Sequence, residues 1–302
     1  MKHSTGPAAD SAAKKQKRTE NGENSSIAWH PAFIEALQLE LEDYGEALEF
    51  HPEYQLTSGP LRIDCIVIKK PPDLVIKKNI GAIFREVNLV EYKSPGDYVS
   101  IEDFYKVYGY ACLYAYLEKI PVTSITITFV ESHYPRELIT HLRETRGYKV
   151  EKSNAGIYNI AGDILPIQII DSMKLSAEEN LWLKDLNNKL NAQEANRLLL
   201  EVKKKGKEAR ISAYIDVIAK ANFNTIEEVM NMSNTATSLE DVFIRTGFAA
   251  RIEARGQAEG EARGEERRAI AIAENLVKLG MPPETIASAT QLDPEKIKAL
   301  YK

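Results

Sequence analysis

The sequence predicts a mixed α/β domain followed by an all-helical region. Three observations carry that expectation. Short runs dense in Ile and Val alternate with helical patterns between residues 47 and 170. Turn residues such as Thr57–Ser58–Gly59–Pro60, Pro71–Pro72 and Ser94–Pro95–Gly96 punctuate those runs. From Leu175 onward no convincing strand recurs.

The elements follow in order. Pro31 suits the first turn of a helix running to about Asp43. Two strand-like runs, about 47–56 and 61–69, come next, the second rich in Ile63, Ile66, Val67 and Ile68. Residues 73–84 are a connecting excursion, and 86–92 form a third strand. Ser100 with Asp103 three residues on marks an acid-assisted helix start, and that helix runs to about Glu118. A strand at 124–130, a helix from Pro135 to about Arg146 and shorter strands at 148–151, 156–160 and 165–170 complete the α/β part.

The chain has 302 residues, enough for about two domains. Its 44% hydrophobic and 27% charged content excludes wholesale disorder. No run approaches the roughly 20 apolar residues that span a bilayer, so no membrane partner is expected. Residues 1–27 read as a disordered leader without the apolar core of a secretory signal. Cys65 and Cys112 are too few for a disulfide framework or a four-cysteine zinc site, and a reduced, cytoplasmic setting is the default. The expected organisation is the leader, an α/β domain over 28–172, a helical region over 173–250, and a Glu/Arg/Gly-rich segment with short terminal helices over 251–302.

Gly256, Gly260 and Gly264 recur along one stripe of the last long helix, each costing about 1 kcal/mol against Ala. The stripe is either a close helix contact or a segment only partly helical, and the solvating Glu and Arg around it favour the second reading. The terminal helices have the spacing of a helix-turn-helix, but Lys296, Lys298 and Lys302 come without the Arg, Asn or Gln suited to reading bases. Small helical packing or oligomerisation fits them better.

Charge is uneven along a chain of formal net charge −5. Residues 27–60 carry only acids (Glu35, Glu40, Glu42, Asp43, Glu46, Glu49, Glu53), whereas 61–93 carry Arg62, Lys69, Lys70, Lys77, Lys78, Arg85 and Lys93 against four acids. Such a stretch can hold phosphates, although a solvated surface is the better explanation of any one of these charges. The sharper signal lies within strands. Asp64 shares one strand face with the apolar Ile66 and Ile68, and Glu91 shares one with Lys93 in Leu89–Val90–Glu91–Tyr92–Lys93. Glu40 falls among Phe33, Ala36, Leu37 and Tyr44 on the apolar face of the first helix. A plain salt bridge accounts for one such pair. Three acids and a lysine pointing into one fold are most simply balanced by a metal ion.

This arrangement resembles the PD-(D/E)XK nuclease superfamily, whose restriction-endonuclease-like core is a mixed sheet in the order αβββαβ. The stretches 60–70 (PLRIDCIVIKK), 83–95 and 100–114 (SIEDFYKVYGYACLY) are similar to a bacterial branch often labelled nuclease-family transposases, related to the recombination-promoting nucleases. Ile63 stands where the name-giving Pro would be, a substitution the superfamily tolerates. The helix after E-x-K offers Tyr105, Lys106 and Tyr108 where the recombination-promoting group often has a Gln and a Tyr.

The resemblance implies an endodeoxyribonuclease acting in recombination or on mobile elements. Asp64, Glu91 and Glu40 would be the metal ligands for Mg²⁺, with Mn²⁺ as substitute, and Lys93 would stabilise the charge that develops on phosphate. DNA would be the partner, contacted by Lys69, Lys70 and Lys106, and the helical C-terminal region could pair two copies of the chain. A nuclease fold without catalysis, serving nucleic-acid binding or oligomerisation, is the alternative. His30, His51, His133 and His141 lack ligand spacing, and no G-x-x-x-x-G-K-[ST] phosphate loop exists.

Overall fold

The computed structural model describes residues 27–52, 54, 65–205, 211–232 and 248–299. Its centre is a seven-stranded mixed sheet in the order β1-β2-β3-β4-β7-β6-β5. The strands are β1 (Glu49–His51), β2 (Ile66–Lys69), β3 (Val87–Tyr92), β4 (Ile125–Glu131), β5 (Lys149–Asn154), β6 (Ile157–Ala161) and β7 (Ile167–Asp171). β3, β4 and β7 run parallel, and the other neighbours pair antiparallel. The parallel trio sits mid-sheet and is buried on both faces, which is why its strands read as continuous apolar runs.

Alternation along the strands sends two apolar sets to opposite sides. Val67, Leu89, Ile127, Phe129, Ile167 and Ile169 meet α2 (Ile101–Glu118) and α3 (Arg136–Glu144) through Phe104, Val107, Ala111, Leu138 and Leu142. Ile66, Ile68, Val90, Tyr92, Val130 and Ile170 meet α1 (Trp29–Glu40) through Ala32, Phe33, Ala36 and Leu37. Phe33 stacks on Tyr92 with ring centroids 4.0 Å apart.

The helices after the sheet complete this second side. α4 (Leu181–Lys184), α5 (Ala192–Lys205), α6 (Ser212–Ala221) and α7 (Phe223–Met232) place Leu183, Leu198, Tyr214, Ile218 and Ile226 in the same core as α1 and the sheet. The core therefore runs unbroken across residue 173, where the sequence suggests a boundary.

The segment before β3, read as an excursion, is anchored under the sheet. Buried Gln168 donates to the Ile80 carbonyl at 2.7 Å and to Thr128 Oγ1 at 3.0 Å. Asn88 donates to the carbonyls of Ile68 and Arg85 and accepts from Thr126. Gln168, Thr128, Asn88 and Thr126 are thus all hydrogen-bonded within the sheet, as buried polar groups require.

The glycine stripe behaves differently from its expectation. α8 (Phe248–Lys278) is one helix of 31 residues, and a Cβ built at Gly256, Gly260 or Gly264 would meet nothing within 4 Å. The stripe neither breaks the helix nor packs against the described residues. Ala, Glu and Arg around it are good helix formers and outweigh three glycines. α9 (Pro283–Thr290) and α10 (Pro294–Ala299) fold back so that Ile286 and Ile297 bury against Ala273 of α8, the small helical packing the sequence suggests.

No helix among the described residues is long and apolar enough to cross a membrane.

Candidate functional site

The parallel strands end together, and their last residues carry charge. Glu91 lies one residue before the end of β3, Glu131 ends β4 and Asp171 ends β7. All three share the strand face of Leu89, Phe129 and Ile169, the side covered by α2. Lys93 follows β3 with its backbone N–H on the Val130 carbonyl at 2.9 Å, so its side chain returns to the same face.

α2 closes the cluster. Its start is a capping box in which the Ser100 hydroxyl accepts from the Asp103 N–H at 3.0 Å and Asp103 Oδ2 accepts from the Ser100 N–H at 3.0 Å. That bond leaves Asp103 Oδ1 to take Lys93 Nζ at 2.9 Å. One turn later Lys106 Nζ reaches Glu91 Oε1 at 3.2 Å and Asp103 Oδ1 at 3.7 Å. Lys93 Nζ is itself 3.4 Å from Glu91 Oε1. Two carboxylates and two ammonium groups thus form one half-buried network, with Glu91 only 4% exposed.

The electrostatics fix the charge states. Burial by itself would lower the Lys93 pKa, but the Asp103 hydrogen bond and the charges of Glu91 and Asp103 outweigh it, and the net shift is upward. Burial pulls Asp103 the other way, yet its bonds from Lys93 and Ser100 hold it below the usual carboxylate range. Lys93 is therefore a permanent cation near neutrality, suited to stabilising negative charge and unsuited to acting as a base. Glu131 contrasts with both: burial, with the charge of Asp171 beside it, raises its carboxyl to about 8 against the pull of the Val99 N–H.

The predicted site residues scatter in an informative way. Glu91, Lys93 and Lys106 come together. Glu40 points inward as its helical position suggests, but on the α1 side of the sheet, where Oε2 pairs with Lys78 Nζ at 2.7 Å and Oε1 accepts from the Leu183 N–H at 3.1 Å. Burial raises its pKa and Lys78 opposes that, so the ion pair supplies the compensation that the sequence reading gave to a metal. Asp64 lies outside the described residues. Ile66 and Ile68, with which the sequence reading puts it on one face, face α1, whereas Glu91 faces α2.

Lys69 and Lys70 sit at the other end of the sheet. Lys69 is opposite Val87, four residues or about 13 Å along β3 from Glu91. It packs over the Tyr54 ring, while Lys70 Nζ bonds the carbonyls of Pro71, Pro72 and Leu74. Neither joins the Glu91 network. Tyr105 bonds His141 and Tyr108 donates to Asp163.

A cleft of about 460 Å³ opens beyond the strand ends, lined by Pro95, Gly96, Ser132, His133, Met173 and Lys189 among others. It is the usual position for a ligand on a sheet with parallel strands. Glu91, Asp103 and Glu131 do not line this cleft, and their hard carboxylate oxygens are of the kind that suit Mg²⁺. The lysines already balance Glu91 and Asp103, and among the described residues no group of three or more His, Cys, Asp or Glu is arranged to hold a metal ion. A cation at Glu91 therefore calls for a further acid, the role the sequence reading gives to Asp64. No family model, curated protein or solved structure matches this chain.

Proposed function

We propose that the chain is a divalent-metal-dependent DNA endonuclease of the PD-(D/E)XK type. One observation carries the proposal: Glu91 and Lys93 of the E-x-K sequence lie side by side at the carboxyl end of a central strand, with Asp103 gripping the lysine. A structural ion pair needs one partner, whereas Lys93 is held between two acids that keep it charged.

Each residue has a role in this reading. Glu91 and Asp64 would hold Mg²⁺ or Mn²⁺. Bound there, the cation would acidify an attacking water and neutralise charge on the scissile phosphate. Lys93 provides a fixed positive charge where negative charge accumulates on phosphorus, and Asp103 aims it. Lys106 is placed to exchange its contact with Glu91 for a backbone phosphate, which would give salt-dependent binding with little sequence reading. Glu40 has no part in the site, and neither do Lys69 and Lys70.

Supercoiled plasmid incubated with the purified chain is expected to become nicked or linear in Mg²⁺ or Mn²⁺ and to stay intact in EDTA. The same ions should raise the melting temperature, and Asp64→Ala should remove that rise. Salt-sensitive retardation of DNA without cleavage under either ion would instead identify a binding module on this fold.

A further inference from the structure

The two sides of the sheet are finished unequally. On one side α1 is itself overlaid by α4 and α6. On the other, α2 turns its outer face to solvent, and that face is a straight seam. Glu102, Tyr105, Gly109, Cys112, Tyr116 and Lys119 are all exposed or, for Lys119, close the helix at its exposed C-cap. They follow one another at intervals of three, four, three, four and three residues. That is the spacing of a helix that packs along another helix, and it confines the six to one stripe about 100° wide.

The seam has the make-up of a contact surface. Tyr116 is 77% exposed and Tyr105 41%, and aromatic residues are enriched where proteins meet. The Tyr105 hydroxyl bonds His141 at 2.9 Å, so its ring is already held in place. Between the two tyrosines the surface is low. A Cβ built at Gly109 would meet nothing within 4 Å, and Cys112 is a small free thiol.

The order of residues along the seam says what fits it. Reversed against itself about a point between Tyr110 and Ala111, it sets Glu102 opposite Lys119, Tyr105 opposite Tyr116 and Gly109 opposite Cys112. Each pair then occurs twice about a two-fold axis, as in any interface between identical surfaces. A parallel arrangement would oppose Glu102 to Glu102 and Lys119 to Lys119. Among the described residues neither of these two charges has an ion-pair partner within the chain. Antiparallel helices also bring the positive end of one dipole to the negative end of the other. The small central pair allows the axes to approach to about 8 Å, with the tyrosines packing on either side.

We propose that the outer face of α2 is a docking surface for a second copy of this chain, packed antiparallel so that Glu102 meets Lys119 and Tyr105 meets Tyr116 at both ends. A seam of 18 residues is about 27 Å long, small for an obligate dimer, so the association is reversible on dilution. It does not depend on the nuclease reading.

Analytical ultracentrifugation of the full chain from about 1 to about 100 µM tests the pairing. The parent should pass from monomer to dimer within that range. Glu102→Lys opposes lysine to lysine twice and should weaken association about ten-fold, and adding Lys119→Glu to it should restore the parent affinity. Tyr116→Ala, at a position too exposed to disturb the fold, should weaken association by about ten-fold or more. A parent that stays monomeric throughout would overturn the proposal. So would a dimer indifferent to Glu102→Lys or to Tyr116→Ala, which would put the contact elsewhere, and so would a loss in Glu102→Lys that Lys119→Glu fails to repair.

Discussion

Lys93→Ala is expected to lower DNA cleavage by about 10²–10³-fold, the usual loss when one fixed stabiliser of developing charge is removed from a dry site. The fold should survive. Lys106 still reaches both Glu91 and Asp103 in the variant, so neither acid is stranded, and the Ser100–Asp103 cap is untouched. The melting temperature should therefore move far less than the rate. Lys93→Arg should rescue little, because a planar guanidinium cannot take the place of a compact ammonium between Glu91 and Asp103. Single-turnover cleavage at saturating Mg²⁺, beside thermal melting, measures both quantities. A Lys93→Ala variant that cleaves at the parent rate would remove Lys93 from the chemistry.

The largest expected effect on stability comes from Tyr214, far from the strand ends. Its ring is fully buried, packs edge-on against Trp182 at 5.6 Å, and donates its hydroxyl to the Trp182 carbonyl at 2.9 Å. Its backbone N–H is held by Glu35 of α1 at 2.7 Å. Tyr214→Ala should cost about 3–5 kcal/mol as a large cavity, or on the order of 10 °C in melting temperature for a unit of this size. Tyr214→Phe, which keeps the ring and strands one carbonyl, should cost only about 1 kcal/mol. Because α6 shares a core with α1 and the sheet, unfolding should remain one transition. Both tryptophans, Trp29 and Trp182, border that core. Fluorescence and circular dichroism should then report the same midpoint, whereas a fluorescence transition that comes first would show that the helices after residue 173 fold separately.

The sequence makes much of this architecture legible where one signal dominates. β3 and β4 stand out because buried parallel strands are apolar without interruption, and α2 because Ser100 and Asp103 announce its start. Glu91 and Lys93 are conspicuous as charges inside such a run. Asp103 was visible only as a cap, since its second oxygen finds Lys93 through tertiary packing that no spacing encodes. Glu131 and Asp171 were hidden for a related reason. A charged residue just past an apolar run marks the end of a strand, and the structure shows each strand running one residue further than the pattern suggests.

Glu40 misled in the opposite sense. Helical spacing does place it inward, but its partner Lys78 lies in an irregular segment near Ile80, whose carbonyl Gln168 holds. Helical periodicity can tell which face is buried. It cannot tell which side of a sheet that face will meet, or which cation waits there.

The most direct test of the nuclease reading is cleavage of supercoiled plasmid across a range of Mg²⁺ concentrations by the parent chain and by Glu91→Gln. The substitution keeps the shape of Glu91 and removes the charge on which both lysines and the proposed cation depend. The account predicts saturable, Mg²⁺-dependent nicking by the parent and none by Glu91→Gln at any Mg²⁺ concentration. Equal cleavage by both, or no cleavage by the parent with any divalent ion, would contradict it.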